Sequence, residues 1–125
     1  MPEKILVVED NEQNLILMRQ ILTHQGYDVL EATDGLTGLV MARTHMPALV
    51  LLDIQMPVMN GFAVIREIRN NPETRNIKAI AVTSFAMKGD RESALQAGFD
   101  EYVTKPIDTR KFLALVKEIL SGVQQ

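Results

Sequence analysis

Five short apolar or β-branched runs alternate along this chain with five segments of helical period, and that alternation is the pattern of a parallel sheet covered by helices on both faces. The expected strands are residues 5–8, 28–31, 49–52, 79–82 and a weaker 101–103. Three of them, 5–8, 49–52 and 79–82, are apolar at every position, as strands buried on both faces must be, and are therefore expected at the centre. Helical spacing falls at 14–25, 36–44, 62–69, 91–97 and 109–120, the last placing Phe112, Leu115, Val116, Ile119 and Leu120 on one face. Gly26 should end the first helix, Asp34-Gly35 turn into the second and Asn71-Pro72 close the third, leaving 121–125 as a free tail. At 125 residues the alternation fills the chain, so a single α/β domain spanning 1–125 is expected, a doubly wound five-stranded sheet with five helices and no further module.

Composition narrows the function classes. A net charge of −3 gives no basic footprint, so no nucleic-acid or membrane partner is expected. The absence of cysteine removes thiolate chemistry and disulfides. No signal-peptide core or membrane-length apolar run is present, and a cytoplasmic protein is the expectation.

In an open parallel sheet, function gathers in the crevice at the carboxyl ends of the central strands. Strand one runs there into Glu9-Asp10, strand three into Asp53, strand four into Thr83-Ser84 and strand five into Lys105-Pro106. Each has an ordinary structural explanation by itself: Asp10 as a helix N-cap with Gln13 completing a capping box, Thr83 and Ser84 as turn residues, Lys105 as a surface charge. Asp53 fits a cap less well, because Pro57 is the natural first helical residue and would place the cap at Met56. Together they converge on one edge, and carboxylates ~5 Å apart repel by on the order of 3 kcal/mol per pair at an effective dielectric of ~20. Lys105 and a hard, oxygen-liganded cation such as Mg²⁺ would relieve that repulsion. A metal and a lysine around a carboxylate suit phosphoryl transfer, with Asp53 as nucleophile.

Glu9-Asp10-Asn11, Asp53-Ile54-Gln55-Met56-Pro57 through Gly61, Thr83-Ser84 and Lys105-Pro106 together resemble the motif set of bacterial two-component response-regulator receiver domains, over essentially the whole chain. The segment from Phe85 to Asp90 is further similar to DivK-like single-domain regulators and to receivers attached to hybrid kinases. The resemblance implies a flavodoxin/CheY-like fold with strand order 2-1-3-4-5. It implies Asp53 as phosphoacceptor, and Asp10 and Asp53 as Mg²⁺ ligands with Mn²⁺ able to substitute. Glu9 would act largely through water, and the carbonyl of Gln55 would complete the set. It further implies that Lys105 and Thr83 hold phosphoryl oxygens, that Tyr102 moves inward behind Thr83, and that the Lys105–Pro106 bond is cis. Gln55 and Phe85 would tune the phosphoryl lifetime.

The implied donor is a sensor histidine kinase or a histidine phosphotransfer protein, and the implied target a downstream signalling protein, with the chain a monomer or weak dimer rather than a turnover enzyme. In helix one, Leu17, Met18, Ile21 and Leu22 are expected to face the sheet, leaving Ile16 in solvent and Leu15 on the flank as apolar anchors for the kinase. A receiver module of a hybrid kinase, or an unphosphorylated adaptor, is the alternative within signalling. A haloacid-dehalogenase-type phosphatase needs an aspartate where Gln55 stands. A flavin binder needs a glycine- and hydroxyl-rich loop where Glu9-Asp10 would repel a phosphate.

Overall fold

The computed structural model describes residues 2–84 and 89–122. The elements follow in the order β1 (Lys4–Val8), α1 (Glu12–His24), β2 (Asp28–Ala32), α2 (Gly35–His45), β3 (Leu49–Asp53), α3 (Gly61–Asn70), β4 (Lys78–Thr83), α4 (Asp90–Ala97), β5 (Glu101–Thr104) and α5 (Thr109–Ser121). All strand pairs are parallel, in the order β2-β1-β3-β4-β5. The three wholly apolar strands are the three central ones, as their residues require.

Alternation along each strand sorts the core into two halves. Ile5, Val7, Leu49, Leu51 and Ile80 pack against α1 and α5 through Met18, Leu22, Phe112, Val116 and Ile119. Leu6, Val8, Val50, Leu52, Ala79 and Ala81 face α2, α3 and α4 through Leu39, Val64, Ile65, Ile68 and Ala94. Each fully buried Ile or Leu contributes about 1.5–3 kcal/mol relative to its exposed state.

Four of the described helices start on an Asx side chain that accepts a backbone N–H three residues on: Asn11 from Asn14, Asp34 from Thr37, Asn60 from Ala63 and Asp108 from Lys111. These caps decide two points that the sequence left open. Asn11, not Asp10, caps α1, which frees the Asp10 carboxylate for the cleft. Pro57 does not open α3; the chain loops on to Gly61, and Asn60 is the cap.

The orientation of α1 also differs from expectation. Leu15, Met18 and Leu22 face the sheet, while Leu17 is 40% exposed and Ile16 and Ile21 are half-buried. Both Leu15-Met18-Leu22 and Leu17-Met18-Ile21-Leu22 are contiguous apolar stripes on a helix. The cap at Asn11 and the docking of α5 beside α1 select the former. Leu15, at 6% exposure, is thus mainly a core residue, its exposed edge lining the groove beside Ile16. Ser121, expected in a free tail, is instead the last residue of α5, and 123–125 lie outside the described residues.

Candidate functional site

β1 neighbours both β2 and β3, so the chain changes winding direction between β1 and β3, and a crevice opens at their carboxyl ends. Glu9 follows β1 directly and is 0% exposed; Asp53 is the last residue of β3 at 2%; Thr83 closes β4 at 1%. Asp10 sits exposed at the mouth. Carboxylate oxygens of Glu9, Asp10 and Asp53 lie within 4.8 Å of one another. Lys105 reaches in from beyond β5, its Nζ 2.8 Å from Glu9 Oε1 and 3.3 Å from Asp53 Oδ2. The Lys105–Pro106 bond is cis. The cleft so formed is roughly 340 Å³ in volume.

The loop after β3 closes the floor. Gln55 N–H donates to Asp53 Oδ1 at 3.0 Å, and Gly61 N–H donates to the Ile54 carbonyl at 3.1 Å. A Cβ on Gly61 would stand 2.7 Å from the Asp53 carbonyl and 2.8 Å from Ile54 Cα, so only glycine lets α3 start this close behind the acid. In the same loop Val58 is in the left-handed region at φ 69°, which is costly for a β-branched residue.

The charges are unbalanced. Burial, then the neighbouring Glu9 carboxylate, push the Asp53 pKa up to about 6, against the opposing pull of Lys105 and of the Gln55 N–H. Burial pulls Lys105 down, but Glu9 and Asp53 outweigh it and hold its pKa above the ordinary lysine value. One ammonium therefore serves two buried carboxylates with a third at the rim. Glu9 Oε1 meets Lys105 as an ion pair without hydrogen-bond geometry. An oxygen-only, three-carboxylate donor set with this charge deficit fits a hard divalent cation.

Residues 5–117 match the response regulator receiver domain family. The chain belongs to that family. Among its relatives, the polar-differentiation response regulator DivK of Brucella anthropi is 42% identical over 120 residues, 96% of this chain and 98% of that protein. DivK of Brucella ovis is 41% identical over the same share of both. Among solved structures, a CheY-like receiver domain protein from Methanospirillum hungatei is 31% identical with a TM-score of 0.89, covering 98% of this chain and 96% of its own. The receiver domain of a sensor histidine kinase from Pseudomonas aeruginosa, solved with magnesium in its active-site cleft, is 32% identical with a TM-score of 0.89, covering 97% of this chain and 99% of its own. The chain is thus a two-component signalling receiver of the DivK-like kind.

Tyr102 lies half-buried on β5, packed against the α3 side of the core; burial, then Asp90, raise its pKa. Leu15 and Ile16, with Asp10, Glu12, Arg19 and Glu31, line a shallow groove between α1 and β2. Phe85 and the segment to Lys88 lie outside the described residues. Two features were not read from the sequence. The Gln55 side chain crosses to β4, donating from Nε2 to Thr83 Oγ1 and accepting the Ser84 N–H at Oε1 at 3.2 Å. Arg69 donates to the carbonyls of Gly98, Arg75 and Ile77 and to Asp100. The spacing Asn60-Gly61 was an available signal for the loop closure; neither long-range bracket has a local one.

Proposed function

We propose that the chain takes a phosphoryl group on Asp53 from the phosphohistidine of a sensor kinase or histidine phosphotransfer protein in the cytoplasm, assisting its own phosphorylation and dephosphorylation. The observation that carries this reading is a carboxylate 2% exposed at the end of a central strand, 3.3 Å from a lysine ammonium and within 4.8 Å of two further carboxylates. In transfer, an Asp53 carboxylate oxygen attacks phosphorus in line, the bond from phosphorus to the donor nitrogen breaks, and the imidazole leaves with the electron pair. Asp10 and Asp53, the Gln55 carbonyl, and Glu9 through water would hold Mg²⁺, or Mn²⁺ in its place. A bound cation would supply positive charge to the phosphoryl oxygens. Lys105 moves from its contact with Glu9 to a phosphoryl oxygen, and Thr83 turns its hydroxyl to another. Tyr102 then fills the space behind Thr83 and remodels the α4-β5-α5 face that a downstream signalling protein reads. A single-domain monomer or weak dimer suffices for this.

Labelling with acetyl phosphate tests the reading. The wild type should label to one equivalent in the presence of Mg²⁺, and Asp53→Asn should not label although it folds. Full labelling of that variant, or of the wild type in excess chelator, would overturn the assignment.

A further inference from the structure

The Gln55 amide is placed across the path that phosphorylation has to open. Resting on the reading of Asp53 as phosphoacceptor, we infer that the Gln55 side chain is a gate: its two ends hold the corner where β4 leaves the cleft in a resting position and compete with the phosphoryl group for that corner. Gln55 is anchored by its own N–H on Asp53 Oδ1 and spans 28 residues of sequence to Thr83 and 29 to Ser84. Both ends of one rigid, planar amide are satisfied by adjacent residues of β4's end, so the two contacts form and break together.

An incoming phosphoryl group brings three strong acceptor oxygens. The donors beside Asp53 are the Lys105 ammonium, already shared by Glu9 and Asp53, and the Thr83-Ser84 corner. At that corner the Ser84 N–H donates to Gln55 Oε1, so a phosphoryl oxygen must displace that oxygen, while Thr83 Oγ1 accepts from Gln55 Nε2, a contact that positions the hydroxyl without using its proton. The Ser84 bond is long at 3.2 Å, which makes it displaceable by the shorter, charge-assisted bond to a phosphoryl oxygen. A corner open only part of the time lowers apparent affinity for the phosphoryl mimic in inverse proportion to its open fraction, since only the open fraction is competent.

Beryllofluoride binding in Mg²⁺ tests the gate, using Gln55→Ala and the isosteric Gln55→Met, which keeps reach and bulk but lacks the amide. Both should bind about fivefold more tightly than wild type, equivalent to about 1 kcal/mol. In the unliganded proteins both should shift the Ser84 amide resonance and speed its hydrogen exchange, a readout that mere loss of cleft volume would not move in Gln55→Met. Unchanged affinity in both variants, or a Gln55→Met that behaves as wild type while Gln55→Ala does not, would overturn the gate while leaving Asp53 as acceptor. No binding by wild type or either variant would overturn the Asp53 assignment, and the gate with it.

Discussion

Adjacent carboxylates in the cleft have unequal duties because their surroundings differ. Glu9 is fully buried, already engaged by Lys105 at 2.8 Å and by the Asn11 N–H at 3.1 Å, whereas Asp10 stands exposed at the rim with its cap role taken by Asn11. A cation entering from solvent would meet Asp10 first, with Asp53 behind it, while Glu9 is partly neutralised already. Asp10→Ala should therefore weaken Mg²⁺ binding by tenfold or more, about 1.4 kcal/mol, and Glu9→Gln by clearly less. Magnesium titration followed by amide chemical shifts measures both, and the reverse ranking would mean that Glu9 is the direct ligand.

At the scale of elements, α1 carries two faces with separate uses. Leu15, Met18 and Leu22 join it to the sheet, and Ile16, half-buried beside the cleft mouth, belongs to the groove between α1 and β2. A protein donor that reaches Asp53 must pass over this end of α1, since the helix starts only a few residues beyond Glu9 and Asp10. If Ile16 anchors the kinase as proposed, Ile16→Glu should slow phosphotransfer from the cognate kinase by tenfold or more, about 1.4 kcal/mol, because it would place a charge in that apolar contact. Labelling by acetyl phosphate, which needs no docking surface, should change far less. Parallel time courses with the two donors make the comparison, and an equal loss in both would point to damage in the cleft instead. Leu15 lines the same groove but is 6% exposed, so Ile16 offers the larger share of the apolar surface there. The helical period showed that α1 is amphipathic, but two overlapping stripes satisfied it, and only packing against α5 and β1 chose between them.

For the whole molecule, the far end of the sheet is secured by Arg69, whose guanidinium ties the end of α3 to the α3–β4 connection at Arg75 and Ile77 and to the turn at Gly98 and Asp100. Asp100 in turn accepts the Ala79 N–H at 2.9 Å, so one residue pins the end of α4 and the start of β4. Arg69→Met leaves three carbonyls and a partly buried carboxylate without this partner, and should cost about 3 kcal/mol in urea unfolding while sparing Mg²⁺ binding at the opposite end. A loss under about 0.5 kcal/mol, the range of ordinary surface changes, would show the hub to be idle. Among the described residues no helix is long and apolar enough to cross a membrane. The amino-acid sequence by itself determined the five strands, their burial and the convergence of Glu9, Asp10, Asp53, Thr83 and Lys105 on one edge, because strand period and strand-end position are local properties of the chain. Only the tertiary structure decided which face of α1 turns inward, the Gln55 bracket on Thr83 and Ser84, and the Arg69 hub. The Gln55 bracket and the Arg69 contacts to Gly98 and Asp100 join groups 28 or more residues apart, and the face of α1 is a choice between two apolar stripes, so no local pattern encodes these meetings.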